Sequence, residues 1–392
     1  MGLKINEKDS HRYSKRRYSY FICILFAIVC LSCNHSSSTK QNAASHSAVA
    51  NEREITDAAG RKVRVPAKVK NVICSGSGCL RLLTYLHAHD RIVAVDGIEV
   101  KGSPIDARPY AIANPQFKTY PVFGEFRGYD NPELIAGLNP QPDVIFKMMP
   151  GGGINPDMLT GKTGIPVVSL LYGNLTYDRH QLNQSLHIMG KVTGKIQRAE
   201  EVIVFIDSII NDLKTRSANT HSLTCYMGGL GQSGPHGIQS TDPAFAPFVF
   251  LGLNNVAATG GDAQNISYLN VAKEQIVVWD PDVIFIDIST LRLGADINAL
   301  VQLRNDPSFE HLKAVKNNRV YGLFPNNSYN QNIEVVLANA YYIGKIIFPK
   351  AFSDVDPMKK AEEISVFFNG GPAFAKLNEM FDNMGFTQLS VQ

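Results

Sequence analysis

Asn131–Phe146 reads NPELIAGLNPQPDVIF and Ala272–Phe285 reads AKEQIVVWDPDVIF. Each copy sets a Glu at a helix start (Glu133, Glu274), an Ile two residues later, and a Pro-Asp step leading into the apolar strand Val-Ile-Phe. They differ by two residues, most simply Pro140 and Gln141 inserted before the Pro-Asp. Two such helix-to-strand units imply two similar lobes, each with a parallel strand at its centre. A bilobed α/β protein carries its most usable concave surface between the lobes.

The first 32 residues read as an export leader. Lys4, Lys8, Arg12, Lys15, Arg16 and Arg17 precede the apolar run Tyr20–Leu31. Twelve residues are too few to span a bilayer, which takes about 20, so the run is a signal-peptide h-region. It ends in Val29-Cys30-Leu31-Ser32-Cys33 ahead of a polar stretch. A Cys after a small residue resembles a bacterial lipobox, with Cys33 as the acylated residue and residues 33–52 as a flexible tether. An ordinary signal peptide cut near Ser32 is the alternative. The leader holds six of the 38 Lys/Arg and two of the 35 Asp/Glu, so the remainder carries a formal charge of −1. Without a clustered basic face, nucleic acid is not an expected partner. Of the six cysteines, Cys74, Cys79 and Cys225 lie in the body, scattered in neither a disulfide nor a zinc pattern.

Strands are expected at Val69–Ser75, Arg91–Asp96, Val144–Met148, Ile165–Leu170, Leu223–Gly228, Val283–Asp287 and Arg319–Phe324, separated by helices. That alternation makes parallel sheets. Between the halves, apolar residues from Leu182 to Leu213 recur at steps of three or four, interrupted near Gly190 and Gly194. The uninterrupted part, Lys195–Arg216, spans about 33 Å at about 1.5 Å per residue. The organisation is therefore a first α/β lobe over 53–178, a linker helix within 179–217, and a second lobe over 218–392.

Four motifs in order carry a resemblance. Ile55-Thr56-Asp57 with Gly60-Arg61 and Val65-Pro66, then Met189-Gly190-Lys191-Val192-Thr193-Gly194-Lys195 with Arg198-Ala199-Glu200, and the two PDVIF units are similar to ABC-transporter solute-binding proteins for iron–siderophore complexes, haem and cobalamin. The resemblance runs from Glu54 to Phe352. It implies two Rossmann-like lobes joined by one long helix, the class III periplasmic-binding-protein fold. It also implies a monomer without a cofactor of its own that delivers a metal chelate to a permease dimer and its ATPase. Family members dock through one surface Glu per lobe, and Glu133 and Glu274 match those positions; the plainer role for each is to favour a helix dipole.

Ligand-contact candidates fall on loops at the carboxyl ends of strands, where open α/β sheets bind ligands. In the first lobe these are Ser75–Cys79 with Ser77, Gly97–Lys101, Met148–Gly153, and Tyr172–Asn174. Arg108, Tyr110 and Arg127 lie in aromatic-bearing irregular segments, where an Arg can clamp carboxylate or catecholate oxygens. In the second lobe His236 sits on the glycine-rich loop Gly231–Gly237, and Asn326 and Tyr329 follow the last strand. Arg179 and Arg292 are further cationic candidates. No G-x-S-x-G, H-E-x-x-H or Walker loop is present, so catalysis is not expected. The reading is a lipid-anchored receptor on the periplasmic side of a membrane, binding an iron–siderophore complex first. Corrinoid, haem or a nickel/cobalt chelate, surface capture, and an exported metal-dependent enzyme are the alternatives.

Overall fold

Asp143 and Asp282, the repeated acids, have the same job in two different sheets. Asp143 Oδ2 accepts the N–H of Asn71 at 2.9 Å, and the Asp143 N–H donates to the Asn71 carbonyl at 2.8 Å. Asp282 Oδ2 accepts the N–H of Thr224 at 2.9 Å, and its own N–H donates to the Thr224 carbonyl at 3.0 Å. Each acid pins the start of the neighbouring strand, which fixes register where a sheet begins.

The computed structural model describes residues 51–101, 105–218, 223–258, 268–294 and 297–391. The expected signal peptide, Cys33 and the expected tether up to residue 50 lie outside the described residues. Ala48–Gln392 is one compact unit, and all strands, helices and cores named below belong to it. Among the described residues no helix is long and apolar enough to cross a membrane.

A hairpin opens the chain, β1 (Glu52–Thr56) against β2 (Lys62–Pro66). Its turn is held by Asp57, whose Oδ1 accepts the N–H of Ala59 and Arg61, while Oδ2 accepts the N–H of Ser169. Arg61 in turn donates to the carbonyl of Val167. The opening Asp and Arg thus fasten the hairpin to the edge of the first sheet. That sheet comprises β3 (Val72–Ser75), β4 (Ile92–Asp96), β5 (Val122–Glu125), β6 (Tyr129–Asp130), β7 (Val144–Met149) and β8 (Val167–Leu171). Its order is β6-β5-β4-β3-β7-β8, parallel except for the edge strand β6. The second sheet is wholly parallel, β11-β9-β13-β14, from β9 (Thr224–Gly228), β11 (Asn254–Asn255), β13 (Val283–Asp287) and β14 (Val320–Leu323). Two-residue strands β10 (Ser240–Thr241) and β12 (Leu269–Asn270) pair beside it.

Reading β4-β3-β7-β8 against β11-β9-β13-β14 gives the same order twice, with the two Val-Ile-Phe strands in the same place. Alternation along them decides the packing. Val144, Phe146, Val283 and Phe285 face one core shared by both halves. Ile145 faces an outer layer of the first lobe, and Ile284 an outer layer of the second.

The helix joining the lobes is Ile196–Ser217, 22 residues long. The earlier part of the apolar stripe is a separate helix, Arg179–Thr193, folded back along it. Arg179 reaches Asp207 at 3.1 Å and His187 reaches Glu200 at 2.8 Å, contacts that only an antiparallel hairpin makes. Glycine permits it. Gly194 ends the first helix at φ +70°, and a Cβ on Gly190 would lie 3.1 Å from Ala199 Cβ. The chain also crosses back at its end. Helix Pro357–Asn369 packs on Cys79–Tyr85 and Pro109–Ala113 of the first half, with Tyr85 and Phe368 rings 4.6 Å apart. The expected second lobe, 218–392, therefore supplies a second bridge beside the linker helix.

Candidate functional site

A cavity of about 630 Å³ lies between the halves. Its walls come from loops at the carboxyl ends of β3, β4, β5, β9, β13 and β14. The first half contributes Ser77, Ile98, Ile105, Ala107, Phe126 and Arg127. The second contributes the loop Gly231–Pro235, Ser289, Arg292, Pro325 and Asn327–Asn330, with Phe381 from the C-terminal helices.

The charge of this lining is one-sided. No Asp or Glu is among the lining residues, whereas two arginines are. Arg127 sits 5.2 Å over the Phe126 ring, and Arg292 sits 5.0 Å over the Phe381 ring. Each half thus presents one guanidinium stacked on one phenyl ring, and neither makes an ion pair among the described residues. Arg292 donates once, to the carbonyl of Met380 at 3.1 Å. Ser289 Oγ is buried at the wall without a partner.

Beneath the cavity the halves are stitched by Ser328–Glu334. Tyr329 OH donates to Asp96 Oδ2 at 2.6 Å and accepts the N–H of Arg127 at 2.8 Å. Asn330 Nδ2 donates to the Ser77 carbonyl and Asn332 Nδ2 to that of Ala107. The buried Arg81 donates to the carbonyls of Ser328 and Gln331, to Asn332 Oδ1 and to Tyr172 OH. Tyr85 OH donates to Glu334.

The sequence candidates separate accordingly. Ser77, Arg127 and Tyr329 line the cavity. Arg108 does not: it is buried, bonded twice to Asp106 and paired with Glu99 at 3.0 Å, so its donors are spent on its own lobe. Tyr110 is wholly buried and donates to Glu99 at 2.6 Å. Tyr172 is buried too, donating to the Gln331 carbonyl at 2.6 Å, and it holds the halves together. Asn326 lies under the cavity with its N–H on Asp287 Oδ2. His236 is exposed on the glycine-rich loop, bonded to the Gln232 carbonyl at 2.8 Å, outside the lining. Of the four arginines only Arg127 and Arg292 face the cavity, since Arg179 lies against the linker helix. The loops Met148–Gly153 and Tyr172–Asn174 sit behind the wall; Gly152 N–H supports the Arg127 carbonyl at 2.8 Å. Phe381 went unread because nothing local in the sequence brings the C-terminal helices to the cleft, and Ser289 went unread although it follows the carboxyl end of β13, where such loops are expected. Among the described residues no cluster of His, Cys, Asp and Glu is arranged to hold a metal ion.

Four buried carboxyls around this floor, and the half-buried Asp242, share a pKa direction. Burial, then the charge of Glu99, pushes Asp96 up to about 8. Burial likewise raises Asp242 to about 7 and Asp287 to about 6, and lifts Glu99 and Glu334. A carboxyl with a raised folded-state pKa binds its proton more tightly folded than unfolded, so stability falls as pH climbs to the folded value. The lowered Asp282, Asp306 and Asp354 act only below about pH 4, and His87 and His89, depressed by burial, act below about 6.5. The urea midpoint of Ala48–Gln392 is therefore expected to drop from pH 6.5 to 8.5, with a smaller drop in Asp96→Asn. Equal midpoints at the two pH values would show that these acids are solvated.

The family model for periplasmic binding proteins matches residues 72–326. The chain belongs to that family. It is an ABC-transporter solute-binding protein of the iron, cobalamin and siderophore type, not an enzyme, and the class III fold described above is its fold. Solved structures agree in fold. A periplasmic solute-binding protein from Veillonella parvula is 20% identical at a TM-score of 0.63, over 85% of this chain and 97% of its own. The molybdate-bound periplasmic binding protein MolA of Haemophilus influenzae is 20% identical at 0.60, over 82% and 98%. CeuE of Helicobacter pylori, in complex with nickel and histidine, is 17% identical at 0.53, over 81% and 96%. A search of curated proteins returned no match.

Proposed function

We propose that this periplasmic binding protein is a lipid-anchored receptor that carries an anionic metal chelate, an iron–siderophore complex first, from the inter-lobe cleft to its permease. The observation that supports this reading is the pair Arg127 and Arg292, one from each half, each stacked on a Phe in a lining without acids. Guanidinium forks match carboxylate and catecholate oxygens in pairs, and phenyl rings receive the flat arms between them. Size supports a chelate over a bare oxyanion. At about 30 Å³ per water, the cavity has room for about 20 waters, of which a five-atom oxyanion displaces only a few.

The test is a thermal-shift panel on Ala48–Gln392 with ferric catecholate, hydroxamate and citrate chelates, haem, cobalamin, and nickel or cobalt with histidine. A ligand at about 100 times its Kd adds roughly 2.7 kcal/mol. The expected hit is a ferric catecholate or carboxylate chelate, weakened at least about 100-fold in the Arg127→Ala/Arg292→Ala double variant, since each charged hydrogen bond contributes about 1.5–3 kcal/mol. A hit from neutral cobalamin alone, or an anionic hit indifferent to both substitutions, overturns the chelate reading. Anchoring at Cys33 has its own test. Labelled palmitate is expected in the full-length protein and not in Cys33→Ser; label in both excludes that residue.

A further inference from the structure

The wall of the chelate cleft contains backbone that most side chains avoid. Arg127, Tyr329 and Asn330 all line it, and their φ angles are +63°, +52° and +88°. Asparagine is at ease in the left-handed region, but an Arg or a Tyr stays there only where its surroundings hold it. For Tyr329 the holder is a turn. Tyr329 and Asn330 lie between Asn327 and Gln331, which bridge as antiparallel partners, and Arg81 fastens the turn through the carbonyls of Ser328 and Gln331. For Arg127 the holder is a pair of bonds to its own main chain. Its N–H donates to Tyr329 OH at 2.8 Å, and its carbonyl accepts the N–H of Gly152 at 2.8 Å. The first of these comes from the other half of the molecule.

An amide N–H can only donate, so the phenol oxygen accepts from Arg127 and sends its own proton to Asp96 Oδ2 at 2.6 Å. Asp96 is buried at the end of β4 and fixes the direction of that proton. The Arg127 guanidinium stacks on the Phe126 ring and makes no ion pair among the described residues, so its place in the wall is set through the main chain. We propose that Tyr329 is a positioning residue of the cleft: its phenol, oriented by Asp96, holds Arg127 in the left-handed conformation that puts the guanidinium in the wall. The inference rests on the chelate reading above and adds how the first half's arginine is kept in register with the second half. The phenol does not act on the ligand itself, since its proton and a lone pair are both engaged. Without it Arg127 is free to return to negative φ, and the ligand has to restore the order at a loss of affinity.

Tyr329→Phe in Ala48–Gln392 tests this, because phenylalanine fills the same space and removes only the hydroxyl. The first readout needs no ligand. Hydrogen exchange resolved to single amides is expected to quicken at Arg127 by at least about ten-fold more than at the core amides of β7 and β13. The second is calorimetry with ferric tris-catecholate. Tyr329→Phe is expected to weaken binding at least about five-fold in the parent, and less than about two-fold when Arg127→Ala is already present. A residue that merely supports the fold, or one that touches the ligand, weakens binding equally in both backgrounds, and that result overturns the positioning. Exchange at Arg127 that is unchanged, or that quickens only as much as the core, overturns it as well. If the parent does not bind the ferric probe, the chelate reading falls and exchange alone decides: selective release of the Arg127 amide upholds the phenol as its holder, and no selective release overturns it.

Discussion

Arg81→Met is expected to cost the Ala48–Gln392 unit about 3–5 kcal/mol, the range for removing one partner from a buried charged network. Arg81 is wholly buried and its guanidinium meets Ser328, Gln331, Asn332 and Tyr172 at 2.6–2.9 Å. It also lies 5.0 Å from the Tyr110 ring. Methionine fills comparable volume, so the loss is electrostatic. Two carbonyls, an amide oxygen and a phenol lose a donor in the interior, and Glu334 loses its nearest cation. Arg81→Lys keeps the charge but not the fork, and should fall between parent and Met. The readout is a lower urea midpoint at unchanged slope, which separates stability from a change in the unfolded state. A cost below about 1 kcal/mol would mean that water already serves these groups. Because Ser328–Asn332 carries Tyr329 and Asn330 into the cleft wall, Arg81→Met should weaken chelate binding as well. The same network is the reason that small lobe rotation is expected on binding: closure by a hinge would have to break it.

Local patterns were legible in the sequence where they repeat with a physical period. The Val-Ile-Phe strands stand where expected, β13 at Val283–Asp287 as an apolar run after the Pro-Asp step, buried along its whole length. The duplicated Asp proved to be a strand-start clamp, a role its position before each strand suggests once the neighbour is known. Long-range pairing was not legible. Arg108 and Arg127 look alike in the chain, each beside an aromatic residue in an irregular stretch. Asp106 is a near neighbour of the first in sequence, but only the fold pairs the first with Glu99 as well and leaves open space before the second. Tyr172 falls on the expected kind of loop but is taken up by Gln331, 159 residues away. The stripe from Leu182 to Leu213 fits one helix and a hairpin of two equally well, and Gly190 against Ala199 decides it. Cavity-lining residues from the C-terminal helices, such as Phe381, were hidden for the same reason.

Glu133→Arg with Glu274→Arg is expected to leave the chelate Kd within about two-fold of the parent and to lower uptake by at least about 100-fold. Glu133 lies at the start of the helix that follows the antiparallel edge strand β6, and Glu274 at the start of the helix that follows β12. Both glutamates are exposed at such starts, before β7 and β13. Capping does not explain Glu133, because Asn131 Oδ1 already accepts the N–H groups of Glu133 and Leu134 at 3.0 and 3.1 Å. Glu274 has no side-chain cap before it and gains more from the dipole, yet its neighbour Lys273 is engaged by Asp306 at 3.0 Å. Neither acid makes an ion pair among the described residues, and each stands near an exposed apolar side chain, Leu134 (49%) and Val278 (76%). Acid beside apolar surface, once per lobe, suits a twofold partner that presents a basic residue to each. Reversal sets like charges face to face, which costs several kcal/mol of association, whereas the cleft floor lies apart from both positions. The assay is uptake of the labelled chelate in cells making equal amounts of each variant, beside calorimetry on the purified proteins. Normal uptake by the double variant would remove the docking role, and a matching loss of chelate affinity would place these glutamates in binding instead.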